Sequence, residues 1–328
     1  MEFGEVPLDR AEGAILAHSH KVEGGRVRKG RVLSPEDIAT LRAAGIDHVV
    51  VADPGPDDLI EDAAATRIAD ALVPDPAAVG LRATEAATGR VNFYATGPGV
   101  LSLQVAALHR LNRIDPMITV ATLPPFARVA AGTMVATVKI ISYAVDRGAL
   151  DAAAAIGAAI AVAPVKLKTA TLLITTMGDA GPGKGEAAVA TRLDRLGMVL
   201  DRTEAIPHDA PAIADALSGV DSDLALLLTA SATSDPRDVG PMGLVKAGGA
   251  LTRFGMPVDP GNLLFYGTLG VRPVIGLPGC ARSPALNGAD WVLERICCGI
   301  APTDEEIAAM GVGGLLKESP ARPHPRAG

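Results

Sequence analysis

Four short segments of this chain combine charged, hydroxyl or imidazole side chains with glycine or proline, and each follows an apolar run. They are residues 178–185, 206–209, 231–238 and 279–283. An apolar run of this length is typical of a strand buried on both faces of a sheet. Ligands of open α/β sheets bind outside the carboxyl ends of the strands, so we expect the four segments to form one shared site.

The first segment, GDAGPGKG, matches the phosphate-loop pattern G-x-x-x-x-G-K but has Gly185 where that motif carries Ser or Thr to hold magnesium. The sequence therefore argues against a nucleoside-triphosphatase loop and makes a nucleotide-binding kinase the weakest of the functional hypotheses. A glycine-rich turn before a helix still offers backbone N–H groups to an anion, and Lys184 adds positive charge. Simple flexibility is the alternative interpretation of these glycines.

The other three segments carry the candidate acids, bases and oxyanion ligands. His208 is a candidate base or ligand, and Asp209 is expected to cap the next helix or to line the site. Residues 231–238 place hydroxyl groups ahead of the acids Asp235 and Asp238, although an ordinary polar loop would look the same. In the last segment, Arg282 and Ser283 are available to bind an oxyanion.

Composition limits the kinds of partner that this chain can bind. At 328 residues it is long for one domain, and 48% hydrophobic residues with only 3% aromatic ones predict an aliphatic core. The net charge of −7 argues against a nucleic-acid or anionic-membrane surface, because phosphate groups attract excess Lys and Arg.

The cysteines and histidines show no metal-binding spacing. Cys280, Cys297 and Cys298 form no CxxC pair, and the adjacent pair is expected to pack in a core. His18 and His20 have no nearby carboxylate or cysteine and are interpreted as surface residues. With no signal peptide evident and Ala-rich residues 152–165 interpreted as a buried helix, we expect a cytoplasmic protein.

Ahead of the predicted sheet lie two smaller regions. Residues 1–73 are predicted to be an α+β unit with a helix capped by Ser34 and ending near Gly45, a strand at 46–51 and a second helix at 59–72. Residues 74–147 are predicted to form a second small unit, with a helix at 101–112 and a strand at 133–144.

Residues 148–316 alternate between apolar runs and helical patterns, which predicts an α/β domain with a three-layer, mostly parallel sheet. The tail at 317–328 is rich in proline and is predicted to be disordered. The predicted strands are 169–176, 198–204, 223–229 and 271–276, and the predicted helices are 185–196, 210–218, 239–253 and 284–298.

At this point the sequence resembles the molybdopterin-binding domain shared by molybdopterin adenylyltransferases, molybdopterin molybdenumtransferases and gephyrin-like proteins. Residues 236–239, PRDV, look like the end of the family's Gly-Gly-Thr-Gly…Arg-Asp loop, and 206–209, IPHD, lie where the family has its I-P-D-E-like turn. Residues 260–261 and 276–279 look like its Pro-Gly and Gly-Leu-Pro-Gly segments, and residues 8–17 are similar to the opening of the molybdenumtransferases. The resemblance is good over 168–300 and weak over 1–147.

The resemblance implies a molybdopterin-binding fold and a role in molybdenum-cofactor biosynthesis, through adenylyl transfer or molybdate insertion with Mg²⁺ and ATP. It also implies a homo-oligomer that contacts a molybdoenzyme or another biosynthesis protein. A non-catalytic carrier that hands the cofactor to a molybdoenzyme is the alternative, because Ala230, Ser231 and Thr233 replace family glycines. The acid that the family carries in the second loop is also replaced by His208 or displaced to Asp209.

The predicted site residues combine the four segments with the resemblance. The catalytic candidates are Asp235, Asp238, His208 and Asp209; the metal candidates are Asp179 and Asp238; and the pterin-binding candidates are Thr176, Gly178, Asp179, Gly183, Lys184, Ser231, Thr233, Ser234, Pro260, Gly261, Gly279, Arg282 and Ser283.

Overall fold

The computed structural model describes residues 1–178 and 185–316. The chain divides into two compact units, Met1–Gly97 with Leu101–Val162 and Pro98–Val100 with Ala163–Gly328. The first unit contains several small sheets, and the second contains one six-stranded sheet. The boundaries that we predict at 73/74 and 147/148 stay predictions.

The elements of the first unit are short. Its strands are β1 (Glu2–Pro7), β2 (Ile15–Leu16), β3 (His20–Val22), β4 (Gly25–Val27), β5 (His48–Asp53), β6 (Asp58–Ile60), β7 (Leu81–Ala83), β8 (Arg90–Ala95), β9 (Gly99–Leu103, which begins in the second unit), β10 (Ile118–Thr122), β11 (Arg128–Val129), β12 (Met134–Ile140), β13 (Ala144–Asp146) and β14 (Ile160–Pro164). Its helices are α1 (Pro35–Ala43), α2 (Glu61–Leu72), α3 (Val105–Leu111) and α4 (Arg147–Ala154). The sheets have the orders β1-β5-β2, β3-β4, β10-β12-β8-β7, β11-β9-β14 and β13-β6.

Helix α1 begins where the sequence predicts. The Ser34 hydroxyl accepts a hydrogen bond from the Asp37 backbone N–H at 3.2 Å, and the Asp37 carboxylate accepts one from the Ser34 N–H at 3.1 Å. This reciprocal capping box satisfies two N–H groups that the first helical turn leaves unpaired. Gly45 follows the helix with φ +75°, a conformation that glycine adopts without strain.

Three predictions for the first unit differ from the structure in their bounds or in their element type. The helix predicted at 101–112 begins only at Val105, after β9, and the strand predicted at 133–144 is divided into β12 and β13. Residues 152–165 are not one buried helix, because α4 ends at Ala154 and Gly157 has φ +73°, after which the chain continues as β14. Among the helices of the described residues, none is long and apolar enough to span a bilayer.

The second unit alternates between strands and helices before an antiparallel edge. Its strands are β15 (Thr169–Thr176), β16 (Val199–Pro207), β17 (Leu224–Leu228), β18 (Ala250–Phe254), β19 (Phe265–Leu269) and β20 (Arg272–Leu277). Its helices are α5 (Gly185–Asp194), α6 (Ala210–Ser218), α7 (Val239–Lys246), α8 (Gly288–Cys297) and α9 (Asp304–Ala309).

The six strands form one mixed sheet of order β16-β15-β17-β20-β19-β18. The four strands from β16 to β20 in that order pair in parallel, and the pairs β20–β19 and β19–β18 are antiparallel. The carboxyl ends of the parallel strands therefore lie along the same edge of the sheet. The loops that contain most of the predicted site residues follow the parallel strands at this edge.

Helices pack on both faces of this sheet, because alternate side chains of a strand point to opposite faces. Leu226 on β17 belongs to a buried cluster with residues of α5 and α8, whereas Leu227 belongs to a cluster with residues of α6 and α7. The five residues of β17 are all buried, which explains its continuous apolar sequence.

The predicted helix at 239–253 is wrong beyond residue 246. Helix α7 ends at Lys246, Gly248 adopts φ +86°, and the chain returns as β18, which pairs with β19. The sequence analysis predicts neither β18 nor β19. These two strands make the sheet mixed, so that its antiparallel part lies at the β18 edge.

Candidate functional site

A cleft of about 320 Å³ lies beside the carboxyl ends of β17 and β20. Three segments that are distant in sequence line it: Thr229–Ala232, Asp259–Leu263 and the turn after β20. Five of the predicted binding residues line this cleft together, namely Ser231, Pro260, Gly261, Gly279 and Arg282. The sequence analysis did not select the remaining lining residues, which are Thr229, Ala230, Ala232, Asp259, Asn262, Leu263, Pro278 and Cys280.

A larger cavity of about 420 Å³ lies in the first unit, between α2 and the strands β7 and β8. Its lining includes the carboxylates of Asp62, Asp70 and Glu85 and none of the predicted site residues. Three acids would repel an anionic ligand, whereas the smaller cleft contains an arginine. We therefore take the cleft of the second unit as the candidate site.

Arg282 is the cation of the cleft. It ends a short 3₁₀ helix, Gly279–Arg282, and its Nη2 donates a hydrogen bond to the Thr229 carbonyl at 3.0 Å. This bond fixes the half-buried guanidinium across the ends of β17 and β20. Among residues 1–178 and 185–316, no ion pair joins Arg282 to a carboxylate, and a guanidinium is a cation that suits an anionic ligand.

Gly185 begins α5 next to Arg282. A Cβ added at this position would lie 2.3 Å from Leu228 Cδ2 and 3.4 Å from Arg282 Nη1. A contact of 2.3 Å is far inside van der Waals distance, so Leu228 would have to shift to admit a side chain at residue 185. The packing explains why the phosphate-loop pattern ends in Gly here.

His208 connects two hydroxyl groups at the same edge of the sheet. Its Nδ1 lies 2.8 Å from Thr175 Oγ1, and its Nε2 lies 2.8 Å from Ser231 Oγ. Thr175 Oγ1 also accepts a hydrogen bond from the Ala230 backbone N–H at 2.7 Å. Thr175, on the intervening strand β15, thus joins the loop that follows β16 to the loop that follows β17. Thr175 was missed because it lies inside an apolar strand sequence.

The acids of the loop after β17 are engaged within that loop. Asp235 accepts hydrogen bonds from the backbone and the guanidinium of Arg237, and these bonds lower the pKa of Asp235 to about 2. Asp238 caps α7: one carboxylate oxygen accepts the Val239 N–H at 2.7 Å and the other the Ser234 N–H at 3.1 Å. Neither acid lines the cleft.

Two buried residues hold the turn after β20 in place. The Arg192 guanidinium on α5 donates to the carbonyls of Ala281, Ser283 and Ala285, and it pairs with Asp290 on α8. The exposed Ser283 hydroxyl accepts the Ala285 N–H at 3.3 Å. The arginine therefore fixes the segment that carries Arg282.

The remaining predicted residues have local partners. Asp209 caps α6 by accepting the Ala212 N–H at 2.8 Å, which confirms the expected cap. The Thr176 hydroxyl donates to the Ile206 carbonyl at 3.4 Å, and the buried Thr233 hydroxyl lies 3.2 Å from that of Thr229. Gly178 is exposed with φ +65°. Asp179, Gly183 and Lys184 lie outside the described residues.

No group of three metal-binding side chains exists among residues 1–178 and 185–316. Among the described residues that line the cleft, Asp259 is the one carboxylate. A magnesium ion takes oxygen ligands in near-octahedral geometry, usually from one or two carboxylates and a substrate phosphate. The described residues therefore do not fit a magnesium site held by a pair of carboxylates.

Comparisons with known proteins identify no family for the whole chain. A family model described as "Domain of unknown function (DUF8806)" matches residues 5–53. No curated protein matches the sequence.

Two solved structures are similar to this chain at low identity. One is the molybdopterin biosynthesis MoeA protein from Pyrococcus horikosii, at 11% identity and TM-score 0.33, covering 91% of this chain and 75% of that one. The other is a molybdenum cofactor biosynthesis protein from Pyrococcus furiosus, at 13% identity and TM-score 0.26, covering 92% of this chain and 65% of that one.

Proposed function

We propose that the second unit binds a phosphorylated pterin of the molybdopterin class and that the protein acts in molybdenum-cofactor biosynthesis. The observation that carries this proposal is the convergence of three distant segments on one cleft. Two of these segments, 260–261 and 276–279, are those in which the sequence resembles the family. The convergence is what a shared ligand site at the carboxyl edge of a sheet requires.

The side chains of the cleft suit the chemistry of such a ligand. Arg282 offers a fork of N–H donors to phosphate oxygens, and Ser231 adds a hydroxyl. The volume of about 320 Å³ lies at the lower end of the range for small-molecule sites, about 300–1,000 Å³.

A non-catalytic carrier is the second candidate function, and the positions of the acids favour it. Adenylyl transfer or molybdate insertion by the family mechanism would use magnesium, yet both oxygens of Asp238 already accept backbone N–H groups. Of the cleft residues that the structure describes, Asp259 alone carries a carboxylate. The third hypothesis, a kinase, is disfavoured because residue 185 is Gly, without the hydroxyl of a phosphate loop, and a side chain there would meet Leu228.

Binding is tested by titrating the protein anaerobically with molybdopterin and following the change in pterin fluorescence. Arg282→Gln should weaken binding by about tenfold or more, because a hydrogen bond to a charged group contributes about 1.5–3 kcal/mol. Arg272→Gln is the matched control. Arg272 donates to the Ser222 carbonyl just before β17, whereas Arg282 donates to the Thr229 carbonyl just after it. Equal effects of the two variants would contradict the proposal.

Catalysis and carriage are separated by one further measurement. The protein is mixed with molybdopterin and magnesium-ATP, and adenylylated pterin is sought by chromatography. Formation of that product supports an adenylyltransferase, whereas tight pterin binding without product supports the carrier. Nucleotide binding that is indifferent to pterin would support the kinase.

A further inference from the structure

The surroundings of the Thr175 hydroxyl determine which atoms donate and which accept in the hydrogen bonds of His208. The Thr175 side chain is almost fully buried, and its oxygen already accepts the Ala230 N–H at 2.7 Å. Its other hydrogen-bond partner among the described residues is His208 Nδ1, at 2.8 Å. A hydroxyl has one proton to donate, and a buried donor without an acceptor is costly. The Thr175 proton therefore points to Nδ1.

This direction fixes the tautomer of the neutral imidazole. If Nδ1 accepts the Thr175 proton, then the ring proton is on Nε2. Nε2 lies 2.8 Å from Ser231 Oγ, so His208 donates to Ser231. A histidine in this tautomer cannot take the proton of Ser231, and the pair is not a nucleophile with its general base.

The tautomer of His208 in turn determines the role of the Ser231 hydroxyl. Its oxygen accepts from His208, and its own proton must go elsewhere. Ser231 is exposed and lines the cleft that also contains Arg282. The proton is therefore available to an acceptor atom of a ligand in the cleft.

We propose that Thr175 and His208 are positioning residues that hold the Ser231 hydroxyl as a hydrogen-bond donor to an anionic oxygen of the ligand, beside Arg282. The part of this inference that concerns the ligand rests on the proposed function, whereas the tautomer does not. The chemistry selected is a phosphate or carboxylate oxygen, because Arg282 and Ser231 both donate. In this arrangement Ala230 N–H, Thr175, His208 and Ser231 all donate in one direction along the chain of bonds.

The tautomer is measured directly by two-bond ¹H–¹⁵N correlation spectra of the neutral His208 ring in the unliganded full-length protein. We expect the proton on Nε2. Thr175→Val, which has the shape of threonine without its hydroxyl, should abolish the preference, and Thr175→Ser should retain it. A proton on Nδ1, or an equal mixture in the wild-type protein, would overturn the inference, because Nε2 would then accept the Ser231 proton.

The hydrogen bond from Ser231 to the ligand is tested by titration with molybdopterin and, separately, with inorganic phosphate. Ser231→Ala should weaken molybdopterin binding by about ten- to a hundredfold, as expected for a lost hydrogen bond to a charged group. Ser231→Thr should retain most of the affinity. His208→Phe should weaken binding, and His208→Gln, whose amide can still donate to Ser231, should recover part of it. Phosphate binding that shows the same pattern identifies the phosphate group as the part recognised.

The outcomes distinguish this inference from the proposed function. If Arg282→Gln loses molybdopterin while Ser231→Ala does not, the cleft is the binding site but the directed hydroxyl is wrong. If wild-type protein binds no molybdopterin, the proposed function fails and the ligand half of the inference fails with it. The tautomer of His208 measured by NMR does not depend on the outcome of either molybdopterin titration.

Discussion

Among single residues, Asp235 is a predicted catalytic acid whose carboxylate pairs with Arg237 instead of lining the cleft. Hydrogen bonds from Arg237 lower the pKa of Asp235 from 3.8 to about 2. A depressed pKa means that the pairing is present above the unfolded value and is lost as the pH falls through about 2. We predict that the Asp235 carboxyl, followed by NMR, titrates near 2 and that Arg237→Gln moves its pKa back towards 3.8. An unchanged pKa in the variant would contradict the pairing.

Gly185 departs from the phosphate-loop motif, and its packing against Leu228 explains the departure. We predict that Gly185→Ser lowers the free energy of unfolding by about 1–3 kcal/mol, because its Cβ would overlap Leu228. Gly279→Ser is the control, since a Cβ at Gly279 meets nothing within 4 Å. Urea unfolding compares the two variants. The result would be contradicted if both lost the same stability, and nucleotide binding gained by Gly185→Ser would revive the kinase hypothesis.

Among the elements, the sequence predicts best where local signals and packing agree. Helix α6 has the predicted bounds 210–218, since Asp209 caps it and its apolar face packs against the sheet. Strand β15 also has its predicted bounds, 169–176. Helix α7 is shorter than predicted because Gly248 ends it, and the pairing partner of β18 lies 11 residues further along the chain, at β19. Antiparallel pairing of that kind is not encoded in local periodicity.

Arg192, a residue of α5, links that helix to α8 and to the turn after β20. Its guanidinium pairs with Asp290 and donates to three carbonyls of residues 281–285. We predict that Arg192→Met lowers the unfolding free energy by about 3–5 kcal/mol, because Asp290 is left buried without its cation. Arg195→Met, at an exposed position just beyond the end of α5, should change it by less than about 0.5 kcal/mol. Urea unfolding measures both, and similar losses would contradict the role of Arg192.

Over the whole molecule, the sequence predicts where the cleft forms better than it predicts the contacts within it. Ser231 and Arg282 lie together because the topology of a parallel sheet brings the loops after its strands to one edge. Gly261 reaches the same cleft from the loop between β18 and β19, two antiparallel strands that the sequence does not predict. The contact between His208 and Thr175 could not be predicted, because it depends on the register of neighbouring strands. A threonine at the carboxyl end of a central buried strand is the one signal that would have identified Thr175.

The three cysteines report on the integrity of the second unit. Cys280 is exposed, whereas Cys297 and Cys298 are buried at the end of α8. Burial raises the pKa of Cys298 from 9.0 to about 11, and that of Cys297 still further. We predict that a thiol reagent modifies one cysteine per chain in the native protein and all three in urea. Native modification of Cys297 or Cys298 would show that the core around α8 opens.

The same two thiols make the stability of the molecule depend on alkaline pH. In the unfolded chain they ionise near 9.0, whereas in the folded protein they stay protonated to higher pH. The unfolded state then binds fewer protons, so the free energy of unfolding falls as the pH rises above about 9. We predict that this fall is smaller in Cys298→Ala than in the wild-type protein, when urea unfolding is measured between neutral pH and about pH 10. Cys280→Ala, at an exposed position, is the control and should keep the wild-type slope; a wild-type slope in Cys298→Ala would exclude ionisation of this buried thiol as a cause.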